Sequence, residues 1–196
     1  MSITDNEIAQ MLAANLDRHP GERGGLVEAV QLVTDGSSLA SRGTFPLHVT
    51  AGALLLRGGV EVLLIAHRAY GIWLQPGGHL EPEDDDLPAA ALRELVEETG
   101  IDPAHVARAS PTPVYVECGL VPARPARPVR GEPAHWHLDF GYLFTTDDAA
   151  DVGQLQEAEV TGAAWYPLDQ AARLIGPRVL RATDPGALIG DDSPRG

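Results

Sequence analysis

Polar and apolar positions change period several times along the chain. Over Ile3 to Leu16, apolar residues Ile8, Met11, Leu12 and Leu16 recur at helical spacing, with Thr4 or Asp5 placed to cap the helix. "RHPG" ends that pattern, a second helical pattern runs from about Glu22 to Val33, and "TDGSS" breaks it. The stretch "LHVTAGALLLRGGVEVLLIAHRA" then reads as two apolar strands joined through "RGG", a hairpin. "GIWLQPGG" continues as a short strand into a glycine turn. A helix is expected over Leu87 to Thr99, with Asp86 as N-cap, Pro88 in the first turn and Gly100 as the stop. Three strand-like runs follow, "PTPVYVECGLV", "HWHLDFGYLFTT" and "EVTGAAWYPL", before a closing helix in "LDQAARLIG".

This order predicts an α/β (α+β) domain, a mixed sheet with helices on its faces. The expected organisation is an N-terminal helical extension over 1–40, the main domain over 41–183 and a loose tail over 184–196. Between Val121 and Pro133, "VPARPARPVRGEP" is a Pro- and Arg-rich loop joining two strands, not a domain linker.

Charge narrows the chemistry. A net charge of -14 over 196 residues argues against binding a nucleic-acid polymer, whose phosphates are held by clustered Lys and Arg. It leaves small phosphorylated ligands open, because a divalent cation reverses the local sign. Every basic residue other than histidine is Arg, so neither Schiff-base chemistry nor a P-loop lysine is available. A single cysteine, Cys118, excludes an internal disulfide framework, and it is expected as a buried small residue. The first residues are acidic and lack an unbroken apolar core, and no run reaches membrane-spanning length; the expectation is a cytoplasmic protein with no membrane association.

Acidic residues crowd into "GGHLEPEDDDLPAAALRELVEETGI", Gly77 to Ile101. Within it Glu94, Glu97 and Glu98 share one helix face, where like charges cost an isolated helix roughly 0.2–0.5 kcal/mol per pair. A hard dication with oxygen ligands reverses that penalty, and the glycine pair leaves room for close approach to the same ion. The segment "RELVEETGI" resembles the second half of the Nudix box, and similarity to bacterial Nudix hydrolases of the "GGH" type extends from about His48 to Leu168. In the first half of the box, the specified Glu falls on Asp85 when counted back from Arg93. Six residues then separate Gly78 from Asp85, so the loop "HLEPEDD" reads as lengthened by one residue, and its other acids read as solvated charge or a cap.

The resemblance implies the Nudix fold. It implies hydrolysis, with Mg2+ or Mn2+, of a nucleoside diphosphate linked to another moiety or of a related pyrophosphate. Metal ligands would be Glu97 and Glu98 foremost, with the Gly78 carbonyl; Glu94 would be ligand or base, and Arg93 would orient Glu97 or Glu94. Glu159, in a late loop, is a further candidate for metal or base, with Glu157 its competitor. A homodimer would follow family habit. The alternative is a Nudix-like sensor that binds a nucleotide without turning it over; a reader of DNA lesions on the same fold is disfavoured by the charge.

Alternation in "HWHLDFGYLF" sends Trp136, Leu138, Phe140, Tyr142 and Phe144 to one face and His135, His137 and Asp139 to the other. The polar trio suits a water-facing strand surface, substrate contact or, by its spacing, a metal. His48 shares a strand face with Thr50, and His79 directly follows the glycine pair, where an imidazole can donate to a phosphoryl oxygen or lock the loop by a hydrogen bond. Arg127, with Arg124 and Arg130 on a three-residue period, belongs to a disordered surface loop or, as the alternative, to a basic arm that contacts substrate phosphates. Trp73 and Trp136 are candidates for base stacking, with core packing as the alternative.

Overall fold

Two strands distant in sequence form the spine of the molecule. In the computed structural model, which describes residues 3–123, 131–147 and 150–183, β1 (Leu47–Arg57) lies parallel to β7 (His135–Thr146), in register from Leu47↔Trp136 to Arg57↔Thr146. Nearly all of β1 is buried, as a strand covered on both faces requires. Along its other edge β1 pairs antiparallel with β4 (Gly77–His79) at Thr50–Gly52 and with β2 (Glu61–His67) at Leu56–Arg57. Strand β2 also carries β3 (Ile72–Leu74) and β8 (Val160–Pro167), while β7 carries β5 (Val106–Arg108) and β6 (Tyr115–Val121). The expected hairpin is β1–β2, and Gly58 and Gly59 take positive φ in its turn.

Alternation sorts β1 between two cores. Leu47, Val49, Ala51, Ala53 and Leu55 enter one cluster, and Leu54 and Leu56 enter the other. The first cluster also receives Leu138, Phe140, Tyr142 and Phe144 of β7 and the apolar face of α3 (Leu87–Thr99). It receives Ile8, Leu12 and Leu16 of α1 (Asp5–Arg18) and Val33 of α2 (Val27–Thr34) as well, so the N-terminal helices share the main core. The second cluster lies with α4 (Leu168–Ile175) through Ala171 and Ile175. On that second face, β1 and β7 turn polar toward one end: His48 and Thr50 stand opposite His137 and Asp139.

Several elements differ from the sequence reading. The expected helix from Glu22 begins as a 3-10 segment, Pro20–Leu26, and becomes α-helical only at Val27, because Gly24 and Gly25 are poor helix formers. The apolar face of β7 is buried from Leu138 onward. Trp136, at the strand's start and opposite Leu120, is 38% exposed rather than part of the core. A 3-10 segment, Pro177–Thr183, follows α4 and contributes Val179 and Ala182 to the second cluster. Among the described residues no helix is long and apolar enough to cross a membrane.

Candidate active site

Helix α3 is set by its ends. The Asp86 side chain accepts from Ala89 N at 2.7 Å, and Gly100 closes the helix at φ 65, where an L side chain is strained. Leu87, Ala90, Ala91 and Leu95 seat it against the sheet, turning Glu94 and Glu98 toward the short strand β4. Gly77 N donates to Glu98 Oε2 at 2.9 Å. A Cβ on Gly78 would sit 2.7 Å from the Glu94 carboxyl carbon, so glycine is what lets strand and carboxylate meet.

Arg93 ties this cradle to the preceding loop. Its Nε and Nη2 donate to both oxygens of Asp84 at 2.9 and 3.0 Å, and Nη2 also reaches the His79 carbonyl at 2.8 Å. Nη1 donates to Glu94 at 2.9 Å and to Glu97 at 3.2 Å. Asp84 is 5% exposed and also accepts from Glu81 N at 2.8 Å. This overturns the reading of Asp84 as solvated charge and of Asp85 as the box acid. Five residues separate Gly78 from Asp84, the spacing of the pattern, so the extra residue lies between the acid and Arg93.

The carboxylates outnumber their cation. Burial, reinforced by neighbouring Glu94, Glu159 and Glu97, lifts the Glu98 carboxyl to about 8 despite the Gly77 N–H. Burial likewise raises Glu94, against the pull of Arg93. Glu97 is about half exposed. Hard oxygen donors with repulsion that one guanidinium does not cancel fit Mg2+ or Mn2+.

A cavity of about 660 Å³ opens beside the cradle, lined by Gly77, Gly78, His79, His137, Asp139 and Glu159 among others. Glu159 arrives on a loop fastened by main chain to the end of α3: Gly153 N donates to Thr99 O at 2.9 Å and Gln156 N to Glu98 O at 3.4 Å. The chains pass so closely that a Cβ on Gly153 would lie 2.3 Å from Gly100 O. On the other side, Arg68 N holds Glu159 O at 2.7 Å and Arg68 Nε holds Glu157 O at 2.9 Å.

Asp139 lines the cavity with its oxygens engaged. Oδ1 accepts from Thr50 at 3.0 Å, and Oδ2 accepts from Tyr115 at 2.8 Å and Gln75 at 3.2 Å. Tyr115 reaches it by lying across Gly141, where a Cβ would come 1.9 Å from the ring. His79 is held neutral, its pKa pushed down to about 4 by burial first and by nearby Arg42 next. His48 is buried behind the cavity at 1% exposure. Arg127 lies outside the described residues.

Two arginines in the wall carry no motif. Arg178, on the segment after α4, pairs with Glu117 at 2.7 Å, donates to Gln75 at 3.3 Å and lies 4.9 Å from the centre of the Tyr115 ring. Arg42 lies 3.6 Å from Glu132 and is mostly exposed. Tyr70 packs on His67, ring centres 4.4 Å apart, and both line the cavity. Trp73 instead meets Tyr166 edge-on at 5.1 Å. For Arg178, Arg42 and Tyr70, no sequence signal marks the position.

The NUDIX domain matches residues 46–184, and the chain belongs to the Nudix family. It is similar to a Caenorhabditis elegans Ap4A hydrolase, at 21% identity and TM-score 0.52 over 69% of this chain and 95% of that one. A Nudix-family hydrolase from Clostridium perfringens is similar at 24% identity and TM-score 0.50, over 70% of this chain and 94% of that one. Among curated proteins, the m7GpppN-mRNA hydrolase NUDT17 of Danio rerio is 43% identical over 56 residues, 26% of this chain. The matched stretch spans 18% of that relative's length.

Proposed function

We propose that the chain is a pyrophosphohydrolase that uses Mg2+ or Mn2+ to cleave a nucleoside diphosphate linked to another moiety, or a related pyrophosphate. The carrying observation is the cradle of Glu94, Glu97 and Glu98 against Gly77-Gly78, braced by Arg93 and set beside a cavity that also receives Glu159. A fold-level sensor has no need of so many uncompensated acids around one cleft.

Glu97 and Glu98, with Glu94 and the Gly78 carbonyl, would hold the ion. When bound, it neutralises phosphoryl charge and acidifies water. Glu159 lines the cavity and is the residue assigned to take the proton from the attacking water, while Glu94 is occupied by Arg93. Water forms a bond to one phosphorus as the bridging oxygen departs with its electron pair. Neutral His79 donates to a phosphoryl oxygen, as do Arg178 and Arg42 from the wall, where guanidinium geometry matches phosphate. Asp139, fixed by Thr50, Tyr115 and Gln75, orients the wall that receives the substrate, with His137 beside it.

The nucleoside part of the reading rests on Tyr70, an aromatic face on a cavity large enough for a nucleotide. The name of the zebrafish relative, an m7GpppN-mRNA hydrolase, is in keeping with it. The test is a panel of nucleotide sugars, dinucleoside polyphosphates, nucleoside triphosphates and organic pyrophosphates with Mg2+ or Mn2+. Glu97→Gln is expected to lower phosphate or nucleotide release by roughly 100-fold or more, with unchanged circular dichroism. Full retention of activity refutes the assignment.

A further inference from the structure

Four histidines gather where β1, β4 and β7 run side by side. The His48 ring lies 4.8 Å from those of His135 and His137, and 5.1 Å from that of His79. His135 and His137 stand two apart on one face of β7, and His48 is the register partner of His137 on β1. His48 and His135 are buried at 1% and 3% exposure, with Phe45 edge-on to both rings.

The tautomers follow from the backbone. His48 Nδ1 sits 3.0 Å from the Thr44 carbonyl, and His135 Nδ1 sits 2.8 Å from the Pro133 carbonyl. A carbonyl only accepts, so each Nδ1 carries the hydrogen, and in the neutral ring Nε2 is then the atom that presents a lone pair. That is the arrangement in which an outer carbonyl orients a metal-binding imidazole. His48 Nε2 is buried with no hydrogen-bond partner, and His135 Nε2 lies 3.2 Å from His137 Nε2.

We propose that His48, His135 and His137 form a three-histidine site for a transition dication of borderline softness, Zn2+ foremost, separate from the carboxylate cradle of α3. The three ligand atoms lie within 4.8 Å of one another. A tetrahedral ion with Zn–N bonds of about 2.0–2.1 Å spaces its nitrogens roughly 3.3–3.4 Å apart. The His135–His137 pair lies close to that spacing at 3.2 Å, and binding would draw the His48 nitrogen inward to complete the triangle. Imidazole nitrogens select Zn2+, Co2+ or Ni2+ over Mg2+, whereas the glutamates have the opposite preference. The chain thus offers two sites of different hardness. Three protein ligands leave a fourth position for water or another ligand, and His137 lines the cavity.

The test uses the full chain, stripped of metal and titrated with Co2+ in a large excess of Mg2+ that occupies the carboxylates. One equivalent of Co2+ is expected to give the intense visible band of a tetrahedral centre, bleached by Zn2+ and left unchanged by further Mg2+. His137→Asn, at a half-buried position, removes the band and weakens Co2+ binding by at least the roughly 10–100-fold that loss of an outer-shell partner costs. Glu97→Gln and Glu159→Gln retain it. His48→Asn is read only if circular dichroism confirms folding, and His137→Asn decides otherwise. Absence of the band, a band that survives His137→Asn, or a band lost in Glu97→Gln overturns the proposal.

Discussion

Glu98→Gln separates the electrostatic cost of the cradle from its packing. Glu98 is 1% exposed, and its carboxyl is lifted from an ordinary 4.5 to about 8. A group whose folded pKa is raised contributes stability that is fully present below the unfolded pKa and lost as pH rises through the folded one. Between pH 4.5 and about 8, the metal-free protein therefore loses about 1.4 kcal/mol per pH unit from this residue, a few kcal/mol across the window. Glutamine keeps an oxygen to accept from Gly77 N and has no charge to bury. Urea unfolding of the metal-free protein at successive pH values from 5 to 9 is the assay. The wild type should weaken toward alkaline pH, while Glu98→Gln should lose the part of that slope due to this residue and be the more stable of the two at pH 8. Saturating Mg2+ should flatten the wild-type curve, since an ion beside Glu98 favours its ionised form. Parallel curves for wild type and variant, or a wild type stabilised as pH rises through this window, refute the reasoning.

Gly78→Ala should displace the Glu94 carboxylate, the movable end of a flexible side chain, because the new Cβ would meet it at 2.7 Å. Calorimetric titration should show weaker Mg2+ binding than in the wild type, and equal affinity would show that Glu94 does not belong to the cradle. Arg93→Met strips Asp84 of its two guanidinium bonds while leaving it buried. Removing one partner of a buried pair costs about 3–5 kcal/mol, and the partial exposure of Arg93 places the expected loss in urea unfolding near the lower figure. A loss below about 1 kcal/mol would mean that Asp84 finds another donor or water.

Helix α3 is legible in the sequence because its signals are local and agree: Asp86 caps it, Gly100 stops it, and apolar residues alternate with the three glutamates at helical spacing. The hairpin and β7 are legible for the same reason. A count back from Arg93 passes through the extra residue and lands on Asp85; a count forward from Gly78 gives Asp84 directly. Arg178, Arg42 and Tyr70 follow no period or motif. Their place in the cavity wall comes from strand and loop packing between distant segments, which one sequence does not display. His48 and His137 were separate candidates in sequence, and only the parallel register of β1 with β7 makes them neighbours.

The clasp between Gly100 and Gly153 bears on how this enzyme can vary. Because Glu159's loop is fastened to Thr99 and Glu98 through main-chain atoms, its placement beside α3 asks little of the side chains at 154–158. Of those positions Ala158 lines the cavity, so a change of size or charge there would reshape one rim of the cleft while the spacing between helix and loop stays fixed. The two glycines are not free, since each backbone occupies the space the other's Cβ would need. Substrate preference can thus be retuned along this rim without touching the acids, and an alanine at either glycine would shift Glu159 and helix α3 apart together.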